Sequence, residues 1–301
     1  MEERGTMSGK KRPRLDRLLV ERGLFEDETE AARWVLAGKV IVDGQRVDKP
    51  GTAVATEAEV RVKGLENPYV GRGGLKLAGA LADFAVDVRG RVCLDAGAST
   101  GGFTDCLLQH GAARVYAVDV GHGQLDWKLR TDPRVVDMER TNLGDVSPAA
   151  LPQLPSLVTL DLSYLSLRVG VPTVAALLAP WPEGDGPEGA IVALVKPLFE
   201  LRANAVDRFE QHREVLEGLI DFLSHGDFGG RGPLPVLDVT ASPILGSGKT
   251  IEFFLHVGRF SGDSSSAAPA DVHPGLGAHA ALGARLDRAL ELAFRLKGGQ
   301  P

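Results

Sequence analysis

Two short helices followed by small strands are predicted at the start of the chain. Leucines three and four positions apart over residues 15–20 indicate the first helix. Either Asp27 or Thr29 can cap the second helix at its N-terminus. Its inward-facing side chains are predicted to be Ala31, Ala32, Val35 and Leu36. Residues 40–62 then alternate with a period of two around an Asp-Gly pair, which predicts a hairpin and a further strand.

Strands and helices alternate through the larger remainder of the chain. Apolar runs predict strands at residues 92–96, 114–120, 156–161, 190–195, 235–240 and 250–257. Helical periodicity lies between most of these strands, for example over residues 104–110 and 212–223. Such alternation predicts an α/β fold with a mostly parallel sheet covered by helices on both faces. Because no helix separates the last two strands, they are expected to form a hairpin at one edge, with one strand antiparallel.

Composition and breaks in periodicity divide the chain into segments. A proline, a tyrosine and a glycine place the main junction between the two periodic regions. The predicted boundaries are a flexible basic tail at 1–13, a small α+β domain at 14–66, an interdomain linker at 67–72, the large domain at 73–260, a flexible Ser-, Ala- and Pro-rich linker at 261–280 and a helix at 281–301. The last helix is predicted to pack back onto the large domain through Leu282, Leu286, Leu290 and Phe294.

The composition favours a globular protein that works inside the cell. The net charge of −6 excludes a uniformly basic nucleic-acid binder, yet residues 10–22 hold six basic residues against two acidic ones. The N-terminus lacks the apolar core of a secretory peptide, and no apolar run is long enough to span a bilayer. Cys93 and Cys106 are far from any C-x-x-C spacing, and the histidines are scattered. We therefore predict reduced thiols, no metal site, no membrane partner and a cytoplasmic location.

A glycine-rich turn after the first strand of the large domain predicts a cofactor site. Backbone can approach a ligand closely there, and the following helix offers free N–H groups. Asp119 ends the next strand, where a carboxylate can bind both hydroxyls of a ribose. A dinucleotide would fit this pattern too, but the small Ser-Thr turn favours S-adenosylmethionine over a pyrophosphate. The residues predicted to bind it are Gly97, Ala98, Ser99, Thr100, Gly101, Gly102, Phe103, Asp119, Glu139 and Asn142.

Four ionisable residues fall where the predicted topology can bring them together. Asp161 and Lys196 each end a strand and therefore flank one cleft at the carboxyl edge of the sheet. Lys76 follows a Gly-Arg-Gly-Gly run just before the first helix of the large domain, and Glu252 lies in the last strand among apolar neighbours. A neutral lysine can accept a proton from a hydroxyl group, and a second lysine with partial burial favours the neutral form. Each residue alone is equally consistent with a strand-end charge that faces water.

The small domain resembles a known RNA-binding module. Residues 14–51 read RLDRLLVERGLFEDETEAARWVLAGKVIVDGQRVDKPG, which is similar to the alpha-L RNA-binding motif of a small-subunit ribosomal protein and several RNA-modifying enzymes. In that family, basic residues of the first helix and of the loop before the hairpin face RNA. The resemblance implies RNA contacts for Arg14, Arg17, Arg22 and Lys39. Such cations neutralise phosphates without reading sequence.

The large domain resembles the haemolysin-A-like (TlyA) family of ribosomal RNA 2′-O-methyltransferases, whose catalytic domain is akin to FtsJ. The shared segments are YVGRGGLKL, LDAGASTGGFTD, VYAVDVGHGQL, ERTN, DLSYLSL, VKPLFE and SPILGSGKTIEFF. The resemblance implies a Rossmann-like methyltransferase sheet, S-adenosylmethionine as methyl donor and ribosomal RNA or ribosomal subunits as partner, with a cytidine ribose as target. It also implies a catalytic tetrad formed by Lys76, Asp161, Lys196 and Glu252. We assign Lys196 as the base, while the other three orient the ribose or hold a lysine.

Three other functions compete with this interpretation. A membrane-damaging haemolysin is disfavoured because the chain has no spanning segment and no strongly cationic amphipathic helix. A non-catalytic RNA-binding or ribosome assembly factor leaves the tetrad and the glycine turn without a purpose. A methyltransferase of small molecules leaves the N-terminal domain unexplained.

Overall fold

The computed structural model describes residues 12–22, 24–25, 27–56, 58–63, 67–179, 189–202, 206–228, 232–258 and 276–298. Almost all of the predicted basic tail and most of the predicted linker at 261–280 lie outside these residues, as does the end of the predicted last helix. The chain forms two compact units, one up to Pro68 together with Ser247–Lys249 and one made of the remaining residues.

The first unit is a small α+β domain. Its elements are α1 (Leu15–Glu21), α2 (Glu28–Leu36), β1 (Val40–Val42), β2 (Gln45–Val47) and β3 (Val60–Val62). The strands form an antiparallel sheet in the order β2-β1-β3, so the central strand pairs with both others. The hairpin turns at Asp43 and Gly44, both of which have positive φ. The Asp-Gly pair thus forms the tight turn that its sequence predicts.

Helix α2 has a capped N-terminus and a narrow buried face. The Asp27 carboxylate caps it by accepting a hydrogen bond from the Glu30 N–H at 2.7 Å. Ala31 and Val35 are fully buried, as predicted, but the prediction that Leu36 faces inward is wrong, because its side chain is 65% exposed. The reason is geometric: one residue turns a helix by about 100°, and a helix this short buries only a narrow stripe.

The second unit is an α/β domain. Its strands are β4 (Val92–Ala96), β5 (Arg114–Val118), β6 (Val135–Met138), β7 (Leu157–Leu160), β8 (Ala190–Val195), β9 (Val236–Ala241) and β10 (Phe253–Gly258). Its helices are α3 (Gly73–Asp83), α4 (Gly102–Gln109), α5 (Trp127–Arg130), α6 (Leu167–Ala175), α7 (Pro197–Leu201), α8 (Phe209–His225) and α9 (Leu276–Leu296).

One seven-stranded sheet organises this unit. The strand order is β6-β5-β4-β7-β8-β10-β9, and neighbouring strands from β6 to β8 are parallel. Strand β10 is antiparallel to both β8 and β9, and lies between them. The predicted α/β fold with one antiparallel strand is therefore confirmed. Strand β6 has no counterpart among the predicted strands because it is a short edge strand with partly exposed side chains and no apolar run.

Helix α9 packs on the hairpin at one end of the sheet. Leu286, Leu290 and Phe294 are buried in the core that also contains Phe253 and Leu255 of β10. Ion pairs fix the helix at several points, namely Arg213–Asp287, Arg285–Asp238 and Lys297–Asp207. Among the described residues, none of the helices combines the length and apolar character needed to cross a bilayer.

Burial along α9 generates a stability prediction. Leu290 is 0% exposed and Leu292, on the same helix, is 45% exposed. We expect Leu290→Ala to lower the free energy of unfolding by about 2–5 kcal/mol, because it removes transfer energy and leaves a cavity. The matched Leu292→Ala change should stay within about 0.5 kcal/mol. Urea unfolding followed by circular dichroism measures both, and equal losses would contradict the packing of α9 on the sheet.

Candidate active site

The carboxyl edge of the sheet brings together the four ionisable residues that the sequence singles out. Asp161 directly follows β7. Lys196 directly follows β8 and occupies the N-cap position of α7. The ladder between β8 and β10 pairs Val195 with Phe253, so the next position along each strand sets Lys196 opposite Glu252. Lys76 reaches the same place from α3.

Two of these residues lie in elements other than those predicted. Lys76 lies inside α3 rather than before it, because the glycines at the start of α3 are helical and provide close packing. A Cβ on Gly74 would come within 2.2 Å of the Tyr69 ring, so only glycine fits there. Glu252 lies just before β10 rather than within it, since the regular ladder begins at Phe253. Its carbonyl still accepts a hydrogen bond from the Ser242 N–H at 2.9 Å.

The four residues form two ion pairs, each between a lysine and a carboxylate. Lys76 Nζ lies 2.6 Å from Glu252 Oε2, and the two side chains are 12% and 5% exposed. Lys196 Nζ lies 2.5 Å from Asp161 Oδ1, with 14% and 23% of the side chains exposed. Within the described residues, Asp161 Oδ1 is buried and receives no aligned hydrogen bond. This oxygen is therefore held by charge alone and keeps its hydrogen-bonding capacity.

The electrostatics of Glu252 show that the two pairs share one site. Burial raises the pKa of this carboxyl group, while the charge and hydrogen bond of Lys76 oppose the rise. The charge of Asp161 raises the pKa further, and the charge of Lys196 lowers it. Each ion pair thus lies within electrostatic reach of the other.

Ser163 is a polar contact of Lys196 that sequence reasoning does not identify. Lys196 Nζ donates a hydrogen bond to Ser163 Oγ at 2.7 Å, from the loop that follows Asp161. Serine in that loop carries no sequence signal of its own, because its role depends on a lysine thirty-three positions away. Lys196 Nζ therefore has two oxygen neighbours, a carboxylate and a hydroxyl group.

The glycine-rich turn between β4 and α4 adopts the backbone shape that requires glycine. Gly97 has φ of 86°, and a Cβ there would lie 2.3 Å from the carbonyl oxygen of Asp161. At Gly102 a Cβ would lie 3.0 Å from the backbone nitrogen of Gly74. The turn therefore packs directly against the loop that carries Asp161 and the start of the helix that carries Lys76. Of its other residues, Phe103 and Ala98 are buried, while Ser99 and Thr100 are exposed.

Asp119 closes this turn from the neighbouring strand. Its Oδ2 accepts a hydrogen bond from the Ser99 N–H at 2.8 Å, and its Oδ1 accepts one from the Gly121 N–H at 2.6 Å. A carboxylate offers about four acceptor sites, so two remain for other donors. The charge of Asp119 also contributes to the raised pKa of Tyr164, although burial is the larger cause. Tyr164 thus stands on the same side of the sheet.

Glu139 and Asn142 have structural partners. The Glu139 carboxylate accepts hydrogen bonds from the backbone N–H groups of residues 123–125 and from Arg130. These donors lower its pKa to about 2. Asn142 caps a short 3-10 turn by accepting from the Gly144 N–H at 3.0 Å. Both residues fix the loops beside the turn, and their predicted contact with the cofactor stays a prediction.

Asp95 is a buried carboxyl group in β4 that sequence reasoning does not identify. It is 0% exposed and accepts hydrogen bonds from Thr104 Oγ1 at 2.7 Å and Thr159 Oγ1 at 3.1 Å. Burial raises its pKa to about 7, the two threonines oppose the rise, and the charge of Asp161 adds to it. An aspartate inside the apolar run of β4 is the only sequence signal for this network.

The arginines predicted to bind RNA in the first unit are engaged within that unit. Arg14 pairs with Asp16 at 2.5 Å, and Arg17 pairs with Glu21 at 2.9 Å. Arg22 donates to the backbone carbonyls of residues 56 and 58, both at 2.7 Å. Lys39 is exposed, and no side-chain partner is seen for it among the described residues. RNA contact by these four residues stays a prediction.

Comparison with known proteins defines the class. Residues 69–226 match the FtsJ-like methyltransferase family, and residues 13–60 match the S4 domain. YqxC of Bacillus subtilis strain 168, provisionally named an rRNA methyltransferase, is 43% identical over 82% of this chain and 86% of its own length. Fold, site and family thus define a methyltransferase of the FtsJ-like class joined to an S4 domain.

Two further relatives narrow the family. The 16S/23S rRNA (cytidine-2′-O)-methyltransferase TlyA of Mycobacterium tuberculosis strain H37Rv is 48% identical over 64% of this chain and 69% of its own length. A solved structure from Streptococcus thermophilus, provisionally called a hemolysin, is 35% identical with a TM-score of 0.69 and covers 96% of this chain and 98% of that one. The chain belongs to the TlyA (haemolysin-A-like) family of FtsJ-like methyltransferases.

The pKa of Asp95 generates a prediction of pH dependence. Its pKa is raised from 3.8 to about 7 on folding, so its contribution to stability is fully present below pH 4 and lost as the pH rises through 7. We expect the native free energy of unfolding to fall by up to about 4 kcal/mol between pH 4 and pH 9 from this group. Asp95→Asn should flatten that fall in urea titrations.

Asp87→Asn is the matched control, because Asp87 is exposed beside Arg89 and its pKa is lowered to about 2, outside this pH range. The same slope in native protein and Asp95→Asn would contradict the raised pKa of Asp95.

Proposed function

We propose that the protein is an S-adenosylmethionine-dependent methyltransferase that methylates the 2′-hydroxyl of a cytidine in ribosomal RNA. The observation that carries this proposal is the pair of lysine–carboxylate ion pairs at the carboxyl edge of the sheet, next to the glycine turn. A 2′-hydroxyl must lose its proton as its oxygen attacks, so a positioned base favours the reaction. The relative TlyA is named for this reaction on 16S and 23S rRNA.

The turn and its neighbours fit a nucleoside cofactor. Asp119 keeps two acceptor sites that suit the two hydroxyls of a ribose. The glycine turn presents backbone within reach of a ligand, and buried Asp161 Oδ1 faces the site without an aligned hydrogen bond. When bound, S-adenosylmethionine supplies a sulfonium methyl group to an attacking oxygen. Of the predicted cofactor-binding residues, Asp119 and the turn at 97–103 would hold it directly, while Glu139 and Asn142 keep the adjoining loops in place.

Lys196 is the proposed base. A neutral amine has two N–H groups and one lone pair in a tetrahedral arrangement. Ser163 Oγ accepts one N–H group at 2.7 Å, and Asp161 Oδ1 lies 2.5 Å from Nζ without an aligned hydrogen bond, so the second N–H group and the lone pair share the remaining directions. The proton of the 2′-hydroxyl then moves to Lys196 Nζ as the new carbon–oxygen bond forms and the carbon–sulfur bond breaks. The hydrogen bond to Ser163 restricts the directions open to the lone pair, which shortens the rotational search before the reaction.

Lys76 and Glu252 support this geometry from the opposite side. Their ion pair keeps the Lys76 ammonium near the reacting ribose, where it can donate to a ribose oxygen. Glu252 pairs with Lys76 and lies opposite Lys196, so its charge acts on both cations. We assign Lys76 and Asp161 to orienting the ribose and Glu252 to positioning Lys76.

The S4 domain supports RNA as the substrate. It carries basic residues on a rigid scaffold, which suits phosphate contact. YqxC, provisionally named an rRNA methyltransferase, matches 82% of this chain, which is more than the FtsJ-like match over residues 69–226 covers. The proposed partner is therefore ribosomal RNA or a ribosomal subunit, and the proposed location is the cytoplasm.

Replacing the base tests the reaction. We expect Lys196→Ala to reduce transfer of labelled methyl from S-adenosylmethionine to unmethylated ribosomal subunits by about 10²-fold or more, because general-base catalysis contributes 10²–10⁴-fold. Lys297→Ala is a matched control, since Lys297 pairs with Asp207 outside the site. Near-native turnover by Lys196→Ala would remove Lys196 from this role. Absence of label with the native protein, despite bound cofactor and RNA, would favour a non-catalytic RNA-binding protein.

The hydroxyl of Ser163 offers a finer test of how Lys196 is positioned. We expect Ser163→Ala to lower kcat about tenfold with little change in the KM for RNA, because the amine can rotate away. Ser166→Ala removes a hydroxyl from the same loop that instead donates to Glu200, and should leave kcat near the native value. A native kcat in Ser163→Ala, or an effect confined to the KM for RNA, would contradict the positioning role.

A further inference from the structure

Glu200 connects the two segments of the chain that carry Lys196 and its oxygen neighbours. We infer that Glu200 is a positioning residue, which holds the proposed base Lys196 in place against Asp161 and Ser163. The inference rests on the proposed function, because that proposal makes Lys196 the base. Glu200 ends the VKPLFE segment, and the function proposed above gives it no role.

Both oxygens of the Glu200 carboxylate accept hydrogen bonds from the start of α6. Oε1 accepts from the Leu167 N–H at 2.8 Å, and Oε2 accepts from the Ser166 hydroxyl at 2.6 Å. Ser166 Oγ in turn caps α6 by accepting from the Arg168 N–H at 3.2 Å. Hydrogen bonds to an ionised carboxylate are stronger than those between neutral groups. The carboxylate therefore holds α7 against the first turn of α6, and the bond from Leu167 remains if the Ser166 hydroxyl is removed.

The same two segments also meet at the proposed base. Residues 161–166 lead from β7 into α6, and Lys196 leads from β8 into α7. At one end of these segments, Lys196 Nζ lies beside Asp161 Oδ1 and donates to Ser163 Oγ. At the other end, Glu200 binds the start of α6. Contact at two points restricts rotation of one segment against the other, so Glu200 helps to set where the Lys196 amine lies.

Helix α7 has little apolar packing of its own to fix it. It is five residues long, which is too short for its backbone hydrogen bonds alone to stabilise it. Among these five residues, all of which the structure describes, Pro197 alone is buried, while Phe199 and Leu201 are 44% and 42% exposed. The Lys196 carbonyl accepts from the Phe199 N–H at 2.9 Å, so any tilt of α7 moves Lys196 with it. The orientation of the base therefore depends on the polar contacts of Glu200.

The beginning of the other segment has an anchor that does not involve Glu200. The Asp161 N–H donates to the Ala96 carbonyl at 2.9 Å, and the glycine turn at Gly97 packs against the Asp161 carbonyl oxygen. Loss of the Glu200 carboxylate should therefore leave the proposed cofactor turn in place. An effect on the base can thus be separated from an effect on cofactor binding.

The test measures methyl transfer to unmethylated ribosomal subunits by variants of the full chain. We expect Glu200→Ala to lower kcat about tenfold or more, with the KM for RNA and the Kd for S-adenosylmethionine within about twofold of native, because only the base loses its orientation. Glu200→Gln should keep kcat within about threefold, since its amide can accept from the Leu167 N–H and donate to Ser166 Oγ. Glu217→Ala is the matched control, because it removes an exposed carboxylate that pairs with Arg213 on α8.

A double-mutant cycle distinguishes positioning from general damage to the fold. In a Lys196→Ala background, Glu200→Ala should lower the remaining activity by less than about twofold, because a residue that acts through the amine has no further effect once the amine is gone. Structural damage would cause the same loss in both backgrounds. If Glu200→Ala does not bind S-adenosylmethionine, Glu200→Asp replaces it with the same expected losses, since its shorter side chain keeps the charge but cannot reach both donors.

Three results would overturn the inference and leave the proposed function standing. They are a native kcat in Glu200→Ala or its Asp substitute, equal losses in the two backgrounds, and a loss in Glu200→Gln as large as that in Glu200→Ala. Absence of methyl transfer by the native protein, although cofactor and RNA both bind, would overturn the proposed function and this inference with it.

Discussion

Pairing of opposite charges at the edge of an apolar sheet is the constraint on which the site depends. The sheet strands that lead to it are almost entirely buried, and an unpaired ammonium or carboxylate there would lose its hydration without compensation. Lys196 with Asp161 and Lys76 with Glu252 satisfy that requirement in pairs. Removing one partner of such a pair is strongly destabilising, whereas the intact pair contributes little to stability. The pairs therefore add little to the stability of the fold, which agrees with the chemical role that we propose for them.

The topology of the sheet turns these pairs into a single site. Parallel strands β7 and β8 deliver Asp161 and Lys196 to the same edge, and the antiparallel strand β10 starts there and sets Glu252 opposite Lys196. The glycine turn packs against the Asp161 backbone. The proposed base and the turn proposed to hold the methyl donor therefore lie at one edge of the sheet.

Local patterns in the sequence are sufficient for the elements and for much of the site. Five of the six predicted strands overlap their observed bounds closely, and for β4, β5, β7 and β8 the reason is that buried parallel strands are continuous apolar runs. The exception at residues 250–257 begins three residues early, where Glu252 interrupts the run. Lys76 is predicted before a helix because glycines are typical of loops, yet the glycines here allow α3 to pack against Tyr69.

What the sequence cannot supply is long-range pairing. The position of β10 between β8 and β9, and the contact of Ser163 with Lys196, depend on residues distant in the chain. The same is true of the partners that engage Arg22, which lie more than thirty positions away. A periodic pattern records which side of an element is apolar, but it does not record what that element meets.

The identity of the methylated atom tests the central claim most directly. Unmethylated ribosomal subunits would be incubated with the native protein and S-adenosylmethionine, and the RNA digested to nucleosides for mass spectrometry. The account predicts 2′-O-methylcytidine, since Lys196 is proposed to accept the proton of a ribose hydroxyl. A methyl group on a base, or none on RNA although cofactor and RNA both bind, would contradict it.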